Sequence, residues 1–253
     1  MNGPLFACVH LPPSPGCQGF AGRAASLRDL GADLAALLDV TPHVDGILLE
    51  NENDKPHTLN VSKAQVAWLT LLAMEARRRT ALPLGIGVQR IDWEAALAVA
   101  AAARLDMVRL DVWVDRVRMQ GQEVSVDSRQ VREIREALDA RAVALWTDVH
   151  VKHAELVCAK DLAASVDDAI KEGSAAVLVT GERTGTPPAV GDLDEARRVA
   201  AGRVPVYAAS GLDATNASEL GAHCDGAIVG TAMKEGPRVS VERARRIVGA
   251  WRR

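Results

Sequence analysis

Short, nearly continuous apolar runs alternate with longer amphipathic stretches along the whole chain. The runs cover residues 5–10, 46–50, 83–88, 107–112, 142–150, 176–180, 205–208 and 226–230. Apolar character this unbroken over so few residues marks strands buried on both faces. The stretches between them predict helices at about 23–38, 62–79, 92–103, 128–139, 165–172, 192–200, 214–220 and 240–251. Ser62, Asp92, Ser128, Ser165, Asp192 and Ser240 stand where N-caps are expected. Each carries a short side-chain oxygen able to accept from a free N–H of the first turn.

Eight strands, each followed by a helix, can be wound into an open sheet or closed into a ring. The count of eight, the length of 253 residues and the lack of a Pro/Gly/Ser-rich break favour one α/β domain over 1–253, a TIM-type (β/α)8 barrel. The most irregular connection follows the fourth strand. Residues 117–126 there read as a small hairpin turning at Gln120-Gly121, either a lid or an idle excursion.

Composition narrows the partners. A chain that is 48% hydrophobic and 25% charged is an ordinary globular protein with an ample core. A formal charge of −3 gives no general attraction for nucleic acid or anionic lipid, and an aromatic content of 3% offers little surface for stacking bases. No apolar run is long enough to span a bilayer, and the N-terminus has no signal-peptide pattern. Cys8, Cys17, Cys158 and Cys224 show no close pairing, so a reducing cytoplasm is the expected compartment. Self-association is left open, since no interface is legible.

In a barrel the loops after the strands converge at one end, and chemistry gathers there. The segment Thr147-Asp148-Val149-His150-Val151-Lys152-His153 alternates strictly. On a strand, that alternation sends Asp148, His150 and Lys152 to one face as the fifth strand reaches the mouth. His150 beside Asp148 is the expected general acid or base, with a satisfied structural histidine as the alternative. Lys152 is expected to hold charge. Glu50 and Asp111 are acids at strand ends, each open to a role as base, hydroxyl acceptor or metal ligand. His10, Asn51, Asp54, Gln89, Arg109, Thr180, Thr184 and Gly185 complete the expected substrate-binding wall. Ser210-Gly211 and Gly230-Thr231 follow consecutive strands, with Lys234 close behind. Glycine lets backbone N–H groups approach an anion, and barrels commonly hold a phosphate after strands seven and eight. The alternative is that these glycines only make tight turns. No cofactor is expected. A divalent metal held by His10, Glu50, Asp148 and His150 stays an alternative, unsupported by any tight ligand spacing.

These residues also resemble a known family. Val9-His10-Leu11-Pro12 with Pro15-Gly16, Glu50-Asn51 with Asp54 and Pro56, and Asp148-Val149-His150-Val151-Lys152-His153-Ala154 match the pattern of the BtpA family. So do Val179-Thr180-Gly181 with Thr184-Gly185, Ser210-Gly211 with Asn216, and Asp225-Gly226-Ala227-Ile228-Val229-Gly230-Thr231 with Lys234. The family includes a photosystem I biogenesis protein of cyanobacteria and a sugar-operon protein of enteric bacteria. The resemblance implies a TIM-type barrel and leaves the activity undefined. The family tends to carry asparagine where this chain has Gln89 and Asp111.

The expected function is therefore acid–base chemistry on a small phosphorylated molecule, a sugar phosphate or nucleotide-like compound. Isomerisation, aldol-type cleavage and glycosidic-bond cleavage all fit. A non-enzymatic assembly or stability factor, suggested by the photosystem I relative, and metal-assisted hydrolysis are the alternatives.

Overall fold

Side chains that alternate along each strand decide this architecture, because one set must fill a ring and the other must meet a shell of helices. The computed structural model describes residues 2–253. Eight parallel strands close into a barrel: Leu5–His10, Gly46–Glu50, Leu84–Gly87, Met107–Leu110, Ala144–Val149, Ala176–Val179, Val206–Ala208 and Gly226–Val229. Below they are the first to eighth barrel strands. The first pairs with the second (Phe6 opposite Gly46) and with the eighth (Phe6 opposite Ile228), which closes the ring.

Eight helices surround it: α1 Arg23–Leu38, α2 Lys63–Arg79, α3 Trp93–Ala103, α4 Ser128–Ala137, α5 Leu162–Lys171, α6 Val190–Ala200, α7 Ala217–His223 and α8 Val241–Trp251. Leu5, Ala7 and Val9 belong to the core between strands and helices, whereas Phe6 and Cys8 belong to a second cluster inside the barrel.

The lower interior is plugged by a few large side chains set against glycines. Phe6, Trp146 and Tyr207 meet edge to face or tilted, with ring centroids 4.7 Å apart for Phe6–Trp146 and for Trp146–Tyr207. A Cβ on Gly46 would fall 2.1 Å from the Phe6 ring, one on Gly226 2.4 Å from Tyr207, and one on Gly85 2.5 Å from Met107. Trp146 thus packs inside the barrel as expected. Trp113, which follows the fourth strand, lies in the helix-side core and not at the mouth.

Three of the six expected caps hold. Ser62 forms a capping box with Gln65, Asp92 accepts from the Ala95 N–H, and Ser240 accepts from the Arg243 N–H. The other three move. Asp127, not Ser128, caps α4; Asp161 caps α5, which starts a turn before Ser165; α6 begins after Ala189 with no side-chain cap. The hairpin turns as expected, between Val117–Met119 and Gln122–Val124, with Gln120 and Gly121 at φ 51° and 77°. Two positive φ values in succession suit a tight two-residue turn. A third strand, Glu155–Leu156 from the loop after the fifth barrel strand, pairs with it.

Candidate functional site

A cavity of about 210 Å³ opens at the carboxyl end of the barrel. Its floor is a cluster of charges. Arg109, on the fourth strand, points inward two residues above Met107, and the helix-free interior gives it only side-chain partners. Its Nε and Nη2 donate to the two oxygens of Asp148 at 2.9 and 2.8 Å, and its Nη1 donates to Oε1 of Glu50 at 2.9 Å. Asp111, the next inward residue just past the end of that strand, keeps its Oδ1 3.8 Å from Arg109 Nε. One guanidinium therefore serves three carboxyl groups. Burial pushes the Asp111 carboxyl up to about 7; the charges of Asp148 and Glu50 add to this, while Arg109 and Lys152 oppose it. Glu50 goes the other way: although burial raises it, Arg109 and then His10 and Lys152 hold it below the usual carboxylate range. The cluster therefore separates a firmly ionised acid from one that titrates near neutrality.

The opposite wall is built from the turns after the last two strands. Gly211 sits at φ 64°, and a Cβ there would fall 2.1 Å from the Pro187 nitrogen, so both conformation and space demand glycine. The Ser210 hydroxyl donates to the Thr186 carbonyl at 2.8 Å and accepts from the Gly181 N–H at 2.7 Å. Asn216 donates to the Gly211 carbonyl at 2.9 Å. Among the described residues, the backbone N–H groups of Gly211, Leu212, Gly230, Thr231 and Ala232 meet no protein acceptor, and all five residues line the cavity. Ser210 therefore fixes the loop that presents these donors, its own hydroxyl being engaged within the protein.

The expected residues divide. His10, Glu50, Gln89, Arg109, Asp111, Lys152, Thr184, Gly185, Ser210, Gly211, Gly230 and Thr231 all line the cavity. Asp148 lies beneath it as the partner of Arg109. Asn51 accepts from the Gln89 N–H at 2.8 Å, and Asp54 accepts from the Ser14 N–H at 2.6 Å and from Gln65 at 3.2 Å. Both tie loops together instead of facing a ligand. Thr180 is buried with its hydroxyl unpartnered, away from the cavity wall. Lys234 is half-buried behind the wall, near Cys8, Glu50 and Asp33, and burial lowers its pKa.

His150 requires a correction. The fifth strand ends at Val149, and His150 takes φ 47° while its N–H donates to Asp115 Oδ2 at 3.0 Å. Asp115 is itself held by Ser165 at 2.6 Å and Lys160 at 3.1 Å. The left-handed turn breaks the expected row, so His150 does not line the cavity, whereas Lys152 and His153 do. His153 Nε2 lies 3.1 Å from Thr184 Oγ1.

The pattern of the BtpA family matches residues 1–253. The chain belongs to the BtpA family. An uncharacterized protein of Pyrococcus horikoshii is 37% identical over 251 residues, covering 97% of this chain and 95% of the relative. The photosystem I biogenesis protein BtpA of Synechocystis is 30% identical over 235 residues, 92% of this chain and 81% of that protein. Among solved structures, KGPDC from Streptococcus mutans superposes with a TM-score of 0.59 at 11% identity, covering 100% of this chain and 98% of that one. N-(5'-phosphoribosyl)anthranilate isomerase from Pyrococcus furiosus gives 0.57 at 11% identity, covering 99% and 98%. At such identities the likeness carries the barrel and none of its chemistry.

For this BtpA-family barrel, sequence reasoning passed over several residues of the wall: Cys8, Glu52, His153 and Asp213. Cys8 was accessible from alternation alone, because it stands two residues before His10 on the same strand face. The metal set expected from His10, Glu50, Asp148 and His150 does not form, since Asp148 is taken by Arg109 and His150 lies elsewhere. Cys8, His10 and Glu50 do bring ligand atoms within 4.8 Å of one another, a sulfur, nitrogen and oxygen set of the kind zinc accepts. Their surroundings oppose it. Burial, followed by the charge of Glu50, pushes the Cys8 thiol well up. Arg109 already holds the Glu50 oxygen.

Proposed function

We propose that this barrel is an enzyme that transfers a proton on a small sugar phosphate. The observation that carries the reading is the opposition of two walls across one cavity: unpartnered backbone N–H groups after strands seven and eight, and Asp111 over Arg109 on strand four. In a ring of eight, the fourth strand lies across from the eighth. A phosphate held at Gly211, Gly230 and Thr231 would extend its sugar toward Asp111.

Asp111 is the proton donor in this reading, with Arg109 stabilising the carboxylate left behind and Glu50 keeping Arg109 in place. The role expected of His150 passes to Asp111. Lys152 supplies a positive charge beside the reacting centre, and His10 and Gln89 hold hydroxyl groups. Isomerisation and aldol-type cleavage both need such a step. At roughly 10–15 Å³ per water-sized occupant, 210 Å³ accepts on the order of 14–21 non-hydrogen atoms, the range of pentose and hexose phosphates.

Calorimetry with ribose 5-phosphate tests the anchor, comparing wild type with Gly230→Asp. A Cβ at Gly230 lies 3.2 Å from Cys8 Cβ and 3.3 Å from His10 Nε2, so aspartate there puts a carboxylate into the cradle. Binding by wild type that the variant loses is expected; equal binding by both removes the anchor. The assembly-factor reading, prompted by the Synechocystis relative, calls for an exposed apolar surface. Among the described residues, the large apolar side chains on the surface are Phe20 and Met74, and Phe20 already packs edge-on against Trp68.

A further inference from the structure

Three acids of the cavity wall are engaged, and two of its cations are not. Glu50 is bonded to Arg109, Glu52 leans toward His57 at 3.8 Å, and Asp213 accepts from the Thr215 N–H at 2.7 Å and the Thr215 hydroxyl at 2.6 Å. Among the described residues, Arg90 and Lys152 pair with no carboxylate. Arg90 donates only to the amide oxygen of Gln89, at 3.1 Å. Both line the cavity, and His153, the residue after Lys152, feels the charge of Arg90 as well. They follow the third and fifth strands and so flank Asp111 on the fourth, across the ring from the glycine turns. Unpaired cations that share a cavity repel each other and are stabilised by an anion.

Building on the sugar-phosphate reading, we propose that the substrate carries an anion at each end, with its phosphate on the glycine turns and a second anionic group bound by Arg90 and Lys152 beside the carbon that reacts. The class is a phosphorylated sugar acid or a sugar bisphosphate. A guanidinium and an ammonium side by side can share the oxygens of either a carboxylate or a phosphate.

Calorimetry at fixed ionic strength with glucose 6-phosphate, 6-phosphogluconate and fructose 1,6-bisphosphate tests this. At least one of the two-ended ligands should bind about tenfold more tightly than glucose 6-phosphate, and the preferred one names the second anion. Lys152→Gln, and the double variant with Arg90→Gln, should remove that advantage and bring the two-ended ligands down to the affinity of glucose 6-phosphate for the same variant. Lys63→Gln, an exposed change at the start of α2, controls for net charge, and thermal melts confirm that each variant is folded. If glucose 6-phosphate binds and the two-ended ligands gain nothing, the second subsite is wrong while the phosphate anchor stands. A uniform loss for all three ligands in the Lys152 variant also overturns it. Binding of none of the three by wild type removes both readings.

Discussion

Asp111 and Arg109 share one problem, a shortage of positive charge in a place that water reaches poorly. Arg109 gives its charge to Asp148 and Glu50 by direct hydrogen bonds, so Asp111 keeps its proton up to about pH 7. The consequence for stability has a definite sign. In the unfolded chain an aspartate titrates near 4, so between about pH 4 and 7 the native state holds a proton that the unfolded state has released. Stability therefore falls as pH rises through that window, and levels off above it. Asp111→Asn holds no such proton. Its stability relative to wild type should be greater at pH 8 than at pH 5, as read by urea unfolding at both values. The difference should reach a few kcal/mol, since each tenfold change in proton affinity between the folded and unfolded chain is worth about 1.4 kcal/mol. Turnover should follow the same proton. Wild-type kcat should fall as pH rises past 7 and the donor is lost, while Asp111→Asn should cost about 10²–10⁴ in rate and flatten that limb. Arg109→Met leaves buried carboxylates without a partner, and a loss of about 3–5 kcal/mol is expected in the same unfolding measurement.

The strands themselves show which features a sequence can reveal. All eight end within two residues of the expected positions, because burial on both faces writes an unbroken apolar run into the chain. The inward set on the fourth strand was equally legible: Met107, Arg109 and Asp111 alternate, and the structure places all three inside. The turn that follows the fifth strand was not. His150 leaves the row because its N–H is claimed by Asp115, which is 35 residues away and fixed by Ser165 on α5. No local pattern encodes a capture of that kind. The two-residue strand Glu155–Leu156 is likewise too short to carry a periodicity. The barrel plug invites a direct test of complementary sizes. Gly46→Ala drives a methyl group into Phe6, and overpacking of this sort costs about 1–3 kcal/mol. Pairing it with Phe6→Leu should restore part of that loss, a coupling that a double-mutant cycle of unfolding free energies would register. Strict additivity would mean that the two side chains do not compete for the same space.

A closed ring separates its two ends, and the separation has consequences for how the protein fails. The cavity-lining loops all lie at the carboxyl end, while the end of α8 meets the segment that leads into the first strand. The Trp251 indole N–H donates to the Gly3 carbonyl at 2.7 Å, and the Asn2 amide donates back to the Trp251 carbonyl at 2.9 Å. This seal joins the two ends of the chain across 248 residues and fixes the first strand between its neighbours. Trp251 is fully buried, so Trp251→Ala removes a large apolar volume together with a buried donor, for an expected loss of about 3–5 kcal/mol. The glycine turns proposed to hold the phosphate sit at the far end of the barrel and share no side chain with the seal. Below its melting temperature the variant should therefore bind ribose 5-phosphate with wild-type affinity, while denaturant unfolding shifts strongly. Gly211→Ala should behave in the reverse sense for binding, since it displaces Pro187 and the turn that presents the free N–H groups. If Trp251→Ala weakens phosphate binding in the folded protein as much as Gly211→Ala does, the barrel transmits strain along its axis, and the two ends are one cooperative unit in function as well as in folding.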